Sequence, residues 1–140
     1  MPQMNPARRV LVVEDDADAR ELVVGHLKLV GCDVRACVDG VATLQAIDTF
    51  QPNAMVLDLG LPGLDGFRVL QEMRDRGGKH VPTLVLTGRS QTDDFSRATA
   101  LGANDYLLKP YTPQQLLVRV ARLLVWSRRI EAAQAAPGGD

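Results

Sequence analysis

Few cysteines, no long apolar run and almost no net charge remove several classes of protein at the outset. Cys32 and Cys37 stand five positions apart, with no second cysteine pair and no nearby histidine. That matches neither a zinc spacing nor a disulfide framework, and both are read as reduced packing residues. No apolar stretch approaches the roughly eighteen residues of a membrane span, and residues 1–9 hold no signal-peptide core. A soluble, cytoplasmic protein is expected. The 16 Lys plus Arg and 17 Asp plus Glu leave a formal charge of -1. No broad basic face is implied, and direct nucleic-acid binding is not expected. Sequence repeats are absent as well. What remains is 140 residues, room for one domain that buries roughly two-thirds of its unfolded surface and needs no staple to fold.

Short β-branched runs alternate with amphipathic stretches about fifteen residues long, which is the pattern of repeated strand–helix units around a parallel sheet. The first run, about Arg9 to Val13, is apolar at almost every position, as a central strand covered on both faces must be. Asp16 is suited to cap a helix with Leu22, Val23, Leu27 and Val30 inward, and Gly31 to end it in a left-handed turn. Cys32 to Cys37 follows as a strand. Asp39-Gly40 opens a helix with Leu44, Ile47 and Phe50 inward, and a third strand leads to Asp58. Phe67, Leu70 and Met73 mark a helix that fails at Gly77-Gly78, after which Pro82 admits a fourth strand. The helix from about Thr92 to Leu101 has low propensity, with Phe95 and Leu101 as its apolar anchors. Asn104 to Leu108 makes a fifth strand. Thr112-Pro113 then opens a long helix with Leu116, Leu117, Val120, Leu123 and Leu124 inward.

Four of the apolar runs end in chemistry. Val10-Leu11-Val12-Val13 ends in Glu14-Asp15-Asp16, and Ala54-Met55-Val56-Leu57 in Asp58. Leu84-Val85-Leu86 ends in Thr87-Gly88, and Tyr106-Leu107-Leu108 in Lys109-Pro110. Parallel strands would bring these tails to one edge of the sheet, where open α/β sheets bind ligands. Carboxylates gathered there repel one another unless a cation lies between them.

The set Glu14, Asp15, Asp58, Thr87 and Lys109 resembles the receiver domain of two-component response regulators. The segment Asp58-Leu59-Gly60-Leu61-Pro62-Gly63-Leu64-Asp65-Gly66 is similar to that family's phosphoacceptor stretch. The resemblance runs from about Arg8 to about Leu124. It implies an α/β, flavodoxin-like, doubly wound (βα)5 fold with five parallel strands in the order 2-1-3-4-5. Residues 1–7 are then a disordered N-terminus, 8–124 the receiver, and 125–140 a helical extension and flexible tail. It further implies that Asp58 attacks the phosphohistidine of a sensor histidine kinase or phosphotransfer protein. Mg²⁺ would be held by Asp15 and Asp58, by Glu14 directly or through water, and by the backbone carbonyl of Gly60. Lys109 supplies a fixed positive charge, and Pro110, cis in the family, holds its approach. Thr87 donates to the phosphoryl group once it is present, and Tyr106 turns inward behind it, changing the surface of the fourth helix, fifth strand and fifth helix. Glu14 replaces a more frequent aspartate and reaches further. Gly60 and Arg89 occupy the positions that govern how water reaches the acyl phosphate.

Other residues read more plainly. Asp16 and Asp18 are cap or turn residues, Asp65 and Gly66 cap and turn the third helix, and His26 and His80 belong to the surface or its boundary. The glycines at 60, 63 and 66 are not a dinucleotide fingerprint. Of two competing functions, a haloacid-dehalogenase-type phosphatase needs a second Asp two positions after its nucleophile, where Gly60 stands. Turnover on external phosphate esters is therefore not expected. A pseudo-receiver that binds partners without phosphorylation is favoured by nothing in the sequence. Trp126 and Ile130 continue an apolar stripe past the receiver's end, which suits a linker or a homodimer. The downstream effector is not legible.

Overall fold

The computed structural model describes residues 8–59, 65–88 and 92–135. Ten elements alternate along them: β1 (Arg9–Val13), α1 (Ala17–Leu29), β2 (Asp33–Cys37), α2 (Gly40–Phe50), β3 (Ala54–Asp58), α3 (Gly66–Arg76), β4 (Thr83–Thr87), α4 (Thr92–Ala100), β5 (Asp105–Leu108) and α5 (Pro113–Ala135). The strands form one parallel sheet in the order β2-β1-β3-β4-β5. This is the doubly wound, flavodoxin-like arrangement.

The alternation of strand side chains divides the interior into two layers. Leu11, Val13, Met55, Leu57 and Val85 face α2, α3 and α4, where they meet Ala46, Val69, Leu70 and Ala98. Val10, Val12, Val56, Leu84 and Leu86 face α1 and α5, where they meet Val23, Leu27, Leu116, Val120 and Leu123. β3 and β4 are buried along their whole length, so their ends have a fixed height in the sheet.

The helix boundaries follow their caps. Asp16 accepts from the Ala19 N–H, Asp39 from Ala42 and Asp65 from Phe67. Thr112 and Gln115 form a reciprocal capping box at the start of α5: Gln115 N–H donates to Thr112 Oγ1 at 3.1 Å, and Thr112 N–H to Gln115 Oε1 at 2.8 Å. Gly31 takes the left-handed conformation expected after α1, with φ +89°.

Some expected orientations differ. Leu22 is 63 % exposed instead of inward, because Val23 and Leu27 already seat α1 and the next residue round the helix points some 100° away from them. Val30, the residue that caps α1, is also exposed. In α2 the fully buried residues are Thr43 and Ala46, with Leu44, Ile47 and Phe50 only half-buried. Phe95 does not anchor α4 in the core: it is exposed on one side, and Ala98 seats the helix. α5 continues unbroken through Ala135, with Ser127 buried.

Candidate functional site

The four chemistry-bearing tails meet at the carboxyl edge of β1, β3, β4 and β5. Glu14 follows β1, Asp58 and Thr87 are the last residues of β3 and β4, and Lys109 follows β5. Glu14, Asp58 and Thr87 are 3 %, 4 % and 6 % exposed, far below what these residue types show on a surface. Backbone bonds fix their positions: Glu14 N–H donates to the Cys37 carbonyl at 3.1 Å, Leu59 N–H to Leu86 at 3.0 Å, and Lys109 N–H to Thr87 at 2.8 Å.

Lys109 Nζ is in hydrogen-bonded ion-pair contact with Asp58 Oδ2 and lies 3.6 Å from Glu14 Oε1. Its peptide bond to Pro110 is cis. Burial works against the Lys109 ammonium, but the hydrogen bond and charge of Asp58, together with the charge of Glu14, outweigh it and hold the pKa above the ordinary lysine value. Lys109 is thus a fixed cation facing two carboxylates.

Glu14 is the strained member. Its Oε2 accepts from the Asp16 N–H at 3.2 Å. Its Oε1 is the buried side-chain oxygen that, among the described residues, has no hydrogen-bond partner. The Glu14 pKa is raised to about 7. Burial is the largest cause, followed by Asp58, which favours a protonated Glu14 as a hydrogen-bond donor and repels an ionised one. The Asp16 N–H and Lys109 act in the opposite sense.

Asp15 is half-buried beside Glu14. Arg20 from the first turn of α1 donates to the Glu14 and Asp15 carbonyls at 3.0 and 3.2 Å, which fixes the backbone of the acidic loop. Sequence reasoning passed over Arg20, although its place one turn into α1 is the signal. It also passed over Tyr111, two residues past Lys109. The Tyr111 hydroxyl has its pKa raised by burial, with Lys109 acting oppositely and Glu14 and Asp58 adding to the rise, and its ring packs against the core layer beneath α1 and α5.

Among the described residues no three His, Cys, Asp or Glu side chains form a ready-made metal cage. Magnesium does not require one. It is usually held by one or two carboxylates with several retained waters. A buried carboxylate oxygen without a donor, beside a second buried carboxylate, suits such a hard cation and explains why two acids are kept at a dry edge.

Gly66 packs against the chain leaving Asp58. A Cβ there would stand 2.7 Å from Leu59 Cδ2 and 3.1 Å from Leu59 Cα, so a side chain would require the Leu59 side chain to turn aside and its backbone to give by a few tenths of an ångström. Tyr106 is half-buried on β5, its ring stacked on that of Phe95 with centroids 3.9 Å apart and planes 33° apart. The readings of Gly60 and Arg89 lie outside the described residues.

Residues 10–121 match the family described as the response regulator receiver domain. The chain belongs to that family. Among its relatives, a probable transcriptional regulator, ycf27, of Porphyridium aerugineum is 36 % identical over 127 residues, which are 91 % of this chain and 51 % of that protein. The transcriptional regulatory protein PrrA of Mycobacterium tuberculosis is 40 % identical over 116 residues, 83 % of this chain and 49 % of that one. The crystal structure of a putative response regulator from Chloroflexus aurantiacus, 33 % identical, superposes with a TM-score of 0.75 over 84 % of this chain and 98 % of that one. The receiver spans about half the length of the curated relatives it matches. No helix among the described residues is long and apolar enough to cross a membrane.

Proposed function

We propose that this receiver is phosphorylated on Asp58 and that the Thr87–Tyr106 side of the domain carries the result to a partner. The reading rests above all on the contact of Lys109 Nζ with the buried Asp58 carboxylate, beside a Glu14 oxygen that has no donor. Glu14, Asp15 and Asp58, with the Gly60 carbonyl, would hold Mg²⁺, which when bound supplies positive charge to the phosphoryl oxygens. An Asp58 carboxylate oxygen attacks the phosphorus of a phosphohistidine on a sensor histidine kinase or phosphotransfer protein. The O–P bond forms as the P–N bond breaks, and the imidazole leaves. The product is an acyl phosphate on Asp58.

Lys109 is fixed by β5 at the height of Asp58, so its charge is preorganised for the oxygens of the transferred group. Thr87 ends the neighbouring strand, and its hydroxyl donates to a phosphoryl oxygen on Asp58. The movement of Thr87 leaves room for the Tyr106 ring to turn inward, which alters the face made by α4, β5 and α5. Phosphorylation thereby shifts a population between two packings. The names of the relatives as transcriptional regulators support an output in gene control, reached through an effector and not through nucleic-acid contacts of this domain.

The test is intact-mass spectrometry after incubation with acetyl phosphate, with and without Mg²⁺, beside Asp58→Asn. A single phosphoryl adduct that requires both Mg²⁺ and Asp58 is expected. A folded chain that gives no adduct under rapid quench excludes the reading, and many turnovers of an aryl phosphate would replace it with a phosphatase.

A further inference from the structure

We propose that Arg20 is a positioning residue for the cation site, holding Glu14 and Asp15 in the arrangement that takes Mg²⁺ by bridging their two backbone carbonyls. The inference rests on the reading of these acids as the holders of the ion that serves Asp58. β1 ends at Val13 and α1 begins at Ala17, so both acids are presented by the short connection Glu14-Asp15-Asp16. In an extended strand successive side chains point to opposite faces, and successive carbonyls to opposite sides. A chain that ran on in this way would offer the site one of the two acids and turn the other away. Here the Glu14 and Asp15 carbonyls converge instead on a single nitrogen, Arg20 Nη1, which donates to them at 3.0 and 3.2 Å. Carbonyl oxygens brought together repel one another, and a shared donor between them is what holds the bend.

The neighbours of Asp15 have supports of their own. Glu14 is tied by its N–H to the Cys37 carbonyl and by Oε2 to the Asp16 N–H, and Asp16 caps α1 through the Ala19 N–H. Asp15 stands between them, and the Arg20 guanidinium reaches its carbonyl.

The partners that Arg20 passes over are as telling as those it takes. Asp16, Asp18 and Glu21 are its near neighbours in sequence, yet among the described residues Arg20 forms an ion pair with none of them. An arginine that served only the surface would spend its charge on such a pair. By bonding neutral carbonyls it leaves that charge on the backbone side of the acids, where it offsets their mutual repulsion without occupying a carboxylate oxygen. The carboxylates thus stay available to a cation. Groups that orient metal ligands without touching the metal typically change its affinity about ten- to a hundredfold when removed.

The test compares the whole chain with Arg20→Met and Arg20→Lys by calorimetric titration with Mg²⁺, by urea unfolding in chelator, and by the rate of adduct formation from acetyl phosphate over a range of Mg²⁺. The small phosphodonor keeps contacts between α1 and a protein partner out of the result. Lysine keeps the charge, but its nitrogen comes one bond earlier along the side chain and falls short of the two carbonyls. Both variants are expected to unfold cooperatively and to bind Mg²⁺ at least about tenfold more weakly than the parent. The Mg²⁺ concentration for half the maximal rate rises with it, while the rate at saturating Mg²⁺ stays within about threefold of the parent. A merely structural part for Arg20 would move the urea midpoint and leave the Mg²⁺ dependence of the folded molecule where it was. Unchanged Mg²⁺ affinity in folded Arg20→Met overturns the proposal, as does a parent that takes up no Mg²⁺. A lysine variant that binds Mg²⁺ as the parent does overturns the carbonyl bridge, since charge alone would then suffice. Should Arg20→Met fail to fold, Arg20→Lys decides by itself. A parent that binds Mg²⁺ but gives no adduct on Asp58 removes the phosphoacceptor reading, and the calorimetry still decides on Arg20.

Discussion

Asn53 Nδ2 donates to Glu131 Oε1 at 3.0 Å, across 78 positions of sequence, and so ties the last turns of α5 to the first residues of the sheet. The same Asn53 receives the Arg9 N–H on its Oδ1 at 2.9 Å, while Lys79 Nζ lies 3.2 Å from Glu131 and Trp126 packs edge-on against His80 with ring centroids 6.0 Å apart. The carboxyl part of α5 is thus held at the edge opposite Asp58. Ending the chain after Leu124 removes Ser127 and Glu131 and leaves the buried Asn53 amide without this partner. A loss of about 1–3 kcal/mol in urea unfolding is expected. An unchanged midpoint would make the extension a passive appendage. Burial tends to raise the Glu131 pKa, but the Lys79 contact and the Asn53 and Ser127 hydrogen bonds together hold it below the usual value. A carboxylate held low contributes stability that is present above its unfolded pKa of about 4.5 and lost as pH falls through the folded value. Hydrogen-exchange protection at the end of α5, measured relative to the unfolded chain at the same pH, should fall as the pH drops below the ordinary carboxylate value.

Gly66→Ala probes the support of the phosphoacceptor strand. The added methyl meets Leu59 Cδ2 and the Leu59 backbone, and the backbone cannot retreat without moving the residue next to Asp58. A cost of about 1–3 kcal/mol is expected, with the rate of phosphorylation by acetyl phosphate falling further than stability alone explains. Retention of the full rate at wild-type stability would show that α3 can slide away freely.

α4 is tied by rings more than by a core. Phe95 stacks on Tyr106, and the Arg97 guanidinium lies 4.1 Å from the centroid of the Phe67 ring, so one contact ties α4 to β5 and the other to α3. A double-mutant cycle with Phe95→Ala and Tyr106→Ala should return a coupling of about 1 kcal/mol. Amide exchange along α4 should speed up in Phe95→Ala while that of β5 stays slow. Additive effects of the two substitutions would mean that the stacked rings do not hold the helix.

The strand order β2-β1-β3-β4-β5 was legible only through the family resemblance, since apolar runs do not say which strands are neighbours. The convergence of Glu14, Asp58, Thr87 and Lys109 was legible because each residue directly ends or follows an apolar run, and parallel strands leave their tails no other edge. Caps were legible for the same local reason, as at Asp16, Asp39 and Asp65. The outward turn of Leu22 was not, because a hydropathy pattern records which residues are apolar but not how far the stripe rotates once Val23 and Leu27 are seated. Nor was the Phe95–Tyr106 stack, which depends on where α4 lies against β5. The tie between Asn53 and Glu131 joins a loop to a helix end across most of the chain, and no local rule carries that distance. Gly66 read as a residue that turns the chain into the third helix, and its close approach to Leu59 was not legible, because it depends on how α3 lies against the end of β3.

The raised pKa of Glu14 makes the metal-free receiver sensitive to pH in an unusual direction. An unfolded Glu14 releases its proton near 4.5 and the folded one near 7, so between these values the native state binds more protons than the unfolded state. Stability in the presence of a chelator should then fall as pH rises through this window, by an amount on the order of 3 kcal/mol, and level off above it. Glu14→Gln cannot ionise and should lose that slope, being more stable than the parent at pH 8 without metal. A divalent cation that binds at Glu14 must displace the same proton, so Mg²⁺ affinity should weaken as pH falls below about 7 and be weaker in Glu14→Gln at all pH values. Urea unfolding at four pH values, each with chelator and with Mg²⁺, measures both effects. A flat profile in chelator for the parent chain, or a Glu14→Gln variant with undiminished Mg²⁺ stabilisation, would remove Glu14 from the metal site and leave Asp15 and Asp58 to hold the ion.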